Sequence, residues 1–211
     1  MPRINMDEFE IKNKEYFNNI AKSKRGDYQL EKNSNRLSTY IQNKNRKIII
    51  NSINFKESIL DIGCGNGEFT NELNKLAKTT AIDISEEMIK IAKKTFPNIN
   101  FVASSMYSIP FQEKTFDTTV CLNTLHHIKN IEIAIREICR VTKNQILIEI
   151  KNKKSINYLR RKLMKNQEYL WKASTTKEIN EIFNKCNFKL YRKHNIIPLL
   201  NPVYILDFRR I

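Results

Sequence analysis

The sequence predicts an α/β fold: a mostly parallel sheet with helices on both faces. Three observations lead there. Short apolar runs recur through the middle of the chain, helical patterns separate them, and the first run ends in a glycine-rich turn that opens a helix. Parallel strands need a crossover of about a dozen residues or more, usually a helix, so this alternation marks βαβ units.

Taken in order, the first third is helical and polar. Residues 6–22 place Phe9, Tyr16, Phe17 and Ile20 at roughly helical spacing, and residues 36–50 carry Leu37, Tyr40, Ile41 and Ile48. Ser23 to Tyr28 between them reads as a turn or loop. The strand candidates are 58–62, 80–84, 99–103, 118–122 and 145–150, and helices are expected over 68–78, 86–95 and 131–141. Residues 151–165 hold seven basic side chains (Lys151, Lys153, Lys154, Arg160, Arg161, Lys162 and Lys165) and no acidic one. Thr175-Thr176-Lys177-Glu178 reads as a capping box opening a helix that ends at Cys186, with Asn187 in the left-handed cap position. Residues 188–193 and 203–209 alternate like strands and suggest an antiparallel pair at the sheet edge. There is no internal repeat and no linker, so a single domain over 1–211 is expected.

Bulk composition narrows the function classes. No apolar run approaches the roughly 20 residues of a membrane-spanning helix. The first eight residues hold no apolar signal core, so a cytoplasmic protein is expected. Cys64, Cys121, Cys139 and Cys186 show no metal-ligand spacing, so reduced thiols and no metal are expected. The net charge of +15 is the unusual feature. Clustered Lys and Arg would neutralise phosphates. Here the positive charge is mostly dispersed, so nucleic acid ranks second among partners, behind a small molecule.

The chemistry is concentrated in Ile59-Leu60-Asp61-Ile62-Gly63-Cys64-Gly65-Asn66-Gly67-Glu68-Phe69, where a buried strand ends in a GxGxG turn and feeds a helix. Three of the chain's four glycines sit in that turn, where a tight backbone must approach a ligand closely. Asp83 stands at the end of the next strand, followed by Ile84-Ser85-Glu86-Glu87-Met88. A carboxylate there accepts hydrogen bonds from both ribose hydroxyls of an adenosyl ligand, and Ser85 caps the following helix. A lone aspartate would be read as a cap; beside the glycine turn it reads as a ligand.

These residues, with Ile109-Pro110-Phe111, Phe116-Asp117 and Leu125-His126-His127 after them, resemble the class I S-adenosylmethionine-dependent methyltransferases. The resemblance is to the small-molecule branch that includes the ubiquinone and menaquinone C-methyltransferases, and it covers roughly 58–150. It implies a Rossmann-like seven-stranded sheet of order 3-2-1-4-5-7-6 with strand 7 antiparallel. It also implies S-adenosyl-L-methionine as cofactor and S-adenosyl-L-homocysteine as product. On this reading 1–52 form an N-terminal helical lid, 53–150 the cofactor-binding core, and 151–211 an insert with the terminal strands. Asp61, Gly63, Cys64, Gly65 and Gly67 would surround the methionine portion, and Asp83 would hold the ribose. Ile84 and Met88 would pack on adenine, Ser105 and Met106 would border it, and Leu122 and Asn123 would border the reacting methyl. Two positions depart from the relatives' pattern. Ser105 stands where an acidic residue usually accepts from the adenine amino group, and Thr142-Lys143-Asn144-Gln145 replaces a glycine turn, with Asn144 able to take the left-handed conformation.

Transfer of a methyl group from a sulfonium needs in-line alignment at ~3–3.5 Å above all. An oxygen acceptor also needs a base. His126 and His127 are the base candidates, and Tyr16 and Tyr28 are possible acceptor contacts; the plainer reading packs one imidazole under the next helix and leaves the other exposed. His194 is read as structural or on the rim. The segments 6–40 and 151–171 would close over the acceptor, bringing Tyr16, Phe17, Tyr28, Tyr158, Tyr169, Leu170 and Trp171. The main alternative is an RNA (tRNA) methyltransferase using 151–165; a further one is a non-catalytic, cofactor-binding partner subunit. A dehydrogenase ranks lower, since Glu68 follows a GxGxG turn in place of GxGxxG. The acceptor and the oligomeric state are not readable from the sequence.

Overall fold

The computed structural model describes residues 8–23, 36–55, 57–151, 174–195 and 203–211. Helices α1 (Glu8–Lys22) and α2 (Arg36–Ser52) precede β1 (Ser58–Ile62), α3 (Glu68–Asn74), β2 (Lys78–Asp83), α4 (Glu86–Thr95), β3 (Asn100–Ala103) and β4 (Phe116–Cys121). A 3-10 turn at Leu125–His127 leads to α5 (Ile131–Val141), β5 (Thr142–Lys151), α6 (Thr176–Lys185), β6 (Phe188–Asn195) and β7 (Val203–Arg210).

The strands form one seven-stranded sheet in the order β3-β2-β1-β4-β5-β7-β6. β1 to β5 run parallel, and β7 is antiparallel to both of its neighbours. This is the Rossmann-like arrangement expected. The central strands are buried on both faces, which is why they read as continuous apolar runs. Ile59, Val120, Leu147 and Ile205 pack against Ile49, Ile53, Phe69 and Leu73 of the α2–α3 side. Leu60, Ile146, Ile148 and Phe208 face Ile135, Ile138, Ile179 and Phe183 of α5 and α6 on the other. Phe183 and Phe208 stack with centroids 4.0 Å apart.

Two local expectations need correction. The helix after the glycine turn ends at Asn74, and β2 begins at Lys78, two residues before the sequence pattern places it. The second concerns the link between α5 and β5, where 142–145 is not a turn. β5 starts at Thr142 directly after Val141, and Asn144 does not take a positive φ. The reason is a distant side chain. Arg210, at the end of β7, donates Nη2 to Cys139 O at 3.0 Å and Nε to Lys143 O at 2.6 Å, and bonds Thr142 O as well. It caps the carbonyls that a glycine turn would otherwise satisfy. Asn187 does adopt the left-handed conformation (φ 60°), and Thr175 with Glu178 forms the expected capping box.

Candidate functional site

β1 and β2 end side by side, with Ile62 opposite Ile82. Past that point the chain turns sharply, and Gly63, Gly65 and Gly67 all have positive φ (77°, 53° and 85°). The three glycines serve different ends. A Cβ on Gly63 would lie 2.1 Å from Thr124 Oγ1, and one on Gly67 would lie 2.8 Å from the Phe101 ring, so both are demanded by packing. A Cβ on Gly65 would meet no protein atom within 4 Å. That space is open, and Gly65 lines the cavity at the strand ends together with Gly63, Cys64 and Asp61. Gly67 is instead the N-cap of α3 and lies outside the lining.

Five acidic residues line this cavity, and two of them, Asp83 and Asp61, stand at the ends of β2 and β1. Asp83 accepts from Gly65 N and from Ser85 N, each at 2.9 Å, which orients it at the mouth of the β1–β2 crevice. Loss of solvent raises its pKa, opposed by those backbone N–H groups. Asp61 accepts from Thr70 Oγ1 at 2.6 Å and is 2% exposed. Burial pushes its pKa up to about 6, the Thr70 bond pulls it down, and the Asp83 charge adds to the rise. Such a pair attracts cationic or hydroxyl-bearing groups.

Ile84, Met88 and Met106 form an apolar wall on the β2–β3 side, and Leu122 and Asn123 border the β4 end. Asn123 has φ 56°, so the chain turns abruptly off β4. His127 lines the cavity, while His126 is buried behind it, its ring centroid 4.0 Å away. Burial, aided by the Lys151 charge, pushes the His127 pKa down to about 4, so the imidazole is neutral at pH 7. Tyr16 is not part of the lining; it packs edge-on to Phe17, which is. Ser105 also lies outside the lining, its hydroxyl donating to the Glu10 carboxylate and accepting from Tyr107 N. Tyr28, Tyr158, Tyr169, Leu170 and Trp171 lie outside the described residues, as do 152–165 of the basic segment. His194 sits on β6 against Ser52, away from the lining.

Several lining residues have no motif in the sequence. α1 supplies Phe9, Glu10, Asn13 and Phe17, and α2 supplies Gln42 and Arg46. Glu149 is 4% exposed, accepting from Asn45 Nδ2 at 2.9 Å and from Lys151 Nζ at 2.7 Å. Lys151 Nζ also donates to Asn123 Oδ1 at 3.1 Å. The one signal for Glu149 was an acid inside an otherwise apolar strand, Gln145 to Ile150.

A parallel sheet with its ligand crevice at the carboxyl strand ends, a glycine turn and an acid closing β2 defines a class of adenosyl-binding α/β proteins. Residues 60–148 match the methyltransferase domain family. That match takes in the glycine turn and Asp83. An uncharacterised protein of Methanocaldococcus jannaschii is 37% identical over 132 residues, 62% of this chain and 47% of its own length. The ubiquinone/menaquinone biosynthesis C-methyltransferase of Rickettsia massiliae is 33% identical over 103 residues, 43% of this chain and 42% of its own. The chain thus spans less than half the length of these curated relatives. Among solved structures, magnesium protoporphyrin IX methyltransferase of Synechocystis PCC 6803 with bound S-adenosylhomocysteine has TM-score 0.72 at 16% identity, covering 96% of this chain and 100% of that one. A chain from the Haloferax volcanii complex of the Trm112 methyltransferase activator has TM-score 0.74 at 12% identity, covering 92% and 96%. At such identities these two show the fold alone. No described helix is long and apolar enough to cross a membrane.

Proposed function

We propose that the protein transfers a methyl group from S-adenosylmethionine to a small-molecule acceptor, leaving S-adenosylhomocysteine. The observation that carries this reading is the Gly65–Asp83 pair: a cradle that a side chain would fill, next to a carboxylate held ready for a diol. On this reading Asp83 takes the ribose hydroxyls, and Asp61 with Gly63 and Gly65 surrounds the methionine portion and its ammonium. Ile84, Met88 and Met106 cover the adenine faces. When bound, the cofactor supplies an electrophilic methyl on a sulfonium whose departing thioether is neutral. The chain's own task is therefore alignment and exclusion of water.

The acceptor would enter past Leu122 and Asn123. There it would meet an apolar wall of Phe9, Phe17 and Ile128 and a polar one of Glu149, Gln42 and His127. Such a pocket suits a largely apolar, planar molecule with one polar edge. A relative named for ubiquinone/menaquinone biosynthesis supports that class. The RNA alternative rests on 151–165, of which Lys151 alone is described, and its ammonium is bonded to Glu149 and Asn123.

The test is incubation with methyl-labelled cofactor and, in parallel, a cellular small-molecule extract and total tRNA. Label in the small-molecule fraction is expected. Label in RNA, with a salt-sensitive gel shift, would replace this reading by the RNA one. Cofactor bound with no label in either would point to a non-catalytic partner.

A further inference from the structure

We infer that Glu10 is the residue that recognises the 6-amino group of the cofactor's adenine, so that helix α1 is part of the cofactor site; the inference rests on the cofactor reading above. Glu10 is 5% exposed although it sits on a helix whose other acids, Glu8 and Glu15, face outward, and it lines the same cavity as Asp83. Its place in that cavity is set by the sheet. Asp83 pairs with Ala103 across the parallel β2–β3 ladder, and Ser104 N donates to Asp83 O at 2.8 Å, so the chain leaves β3 beside the Asp83 backbone. Ser105 follows two residues later, and its hydroxyl donates to Glu10 Oε1. Met106, beside it, lines the apolar slot with Ile84 and Met88.

A purine seated in that slot, with its ribose on Asp83, presents its amino edge toward Ser105 and α1. Ser105 Oγ donates to Glu10 and already accepts from Tyr107 N, so the carboxylate is the stronger acceptor at that edge. α1 is held there by three further ties. Lys14 pairs with Glu86 at 2.7 Å, Ser85 Oγ donates to Asn18 Oδ1 at 2.7 Å, and Asn13 Nδ2 donates to His127 O at 2.8 Å. Docking of α1 and recognition of adenine are thereby one event.

The experiment is calorimetry on the full chain with S-adenosylhomocysteine and with its analogue carrying hydrogen in place of the 6-amino group. The wild type should bind the analogue about 10-fold or more weakly, as expected for a lost hydrogen bond to a charged acceptor. In Glu10→Leu the two ligands should bind alike. Glu10→Gln keeps an oxygen acceptor without the charge, and part of the discrimination should survive. Lys14→Ala, which loosens α1 without touching the purine, should weaken both ligands equally. Full discrimination in Glu10→Leu, or in Glu10→Gln should the first variant fail to fold, overturns the assignment, as does a wild type that binds both ligands equally. A wild type that binds neither overturns the cofactor reading itself.

Discussion

The backbone N–H of Gly65 donates to the Asp83 carboxylate across 2.9 Å, tying the turn after β1 to the end of β2. The glycine is left-handed there (φ 53°), and the acid it holds lines the cavity. Replacing Asp83 by Ala should weaken S-adenosylhomocysteine binding by about 100-fold or more, since two bonds to a charged acceptor are worth about 1.5–3 kcal/mol each. Calorimetry on the folded variant checks this. An unchanged Kd would remove Asp83 from the ribose site.

Substitutions at the three glycines should separate into two kinds. Gly65→Asn keeps a residue that tolerates the left-handed region and fills only open space. It should melt within a few degrees of wild type and lose cofactor binding. Gly63→Ala forces a Cβ into Thr124, down to 2.8 Å from that residue's own Cβ. It should lower stability by about 2–4 kcal/mol in urea denaturation, the range of steric clashes that force the backbone to move. Equal behaviour of the two variants would mean that Gly65, too, is there for packing.

Asp61 links stability to pH. Its folded-state pKa is raised from 3.8 to about 6, so the folded protein holds this proton longer than the unfolded chain does. Between pH 4 and 6 the group therefore reduces stability as pH rises, reaching a deficit of about 3 kcal/mol above pH 6. Asp61→Asn, whose amide oxygen still accepts from Thr70, should be more stable than wild type at pH 8 and similar near pH 4. The same variant should bind cofactor more weakly at pH 8, because the carboxylate proposed to face the ligand's ammonium is gone. Denaturation and calorimetry at both pH values test the pair of effects. A variant less stable at pH 8 contradicts the raised pKa.

His127 should be silent across the physiological range. Its pKa is pushed below the usual 6.5 to about 4, so between those values the unfolded chain takes the proton first and acid favours unfolding. Above pH 6.5 the group contributes no pH dependence. Its ring resonances in NMR should be flat from pH 6 to 8, and any rate profile with a midpoint in that range must come from another group. A His127 titration near 6.5 would restore it as an ordinary base.

Within 58–150 the fold was legible because each strand and helix there is specified locally. Ile59 to Ile62 and Ile146 to Ile150 are apolar apart from Asp61 and Glu149, Ser85 caps α4 with its own side chain, and positive φ at Gly63, Gly65 and Gly67 favours residues without a Cβ. The helix-to-strand junction at Thr142 was misread for the complementary reason. Its cap, Arg210, lies 68 residues away on β7, where no local pattern points to it.

The sequence by itself determined the sheet's building units, the glycine turn and the acid at the end of β2, since these follow from backbone sterics and short-range periodicity. The tertiary structure alone decided which side chains share the cavity. Glu10 reaches Ser105 over 95 residues, and Asn45 reaches Glu149 over 104. A buried carboxylate is stable only where partners converge on it, and for Glu10 and Glu149 those partners come from distant parts of the chain, with no period or spacing to announce them.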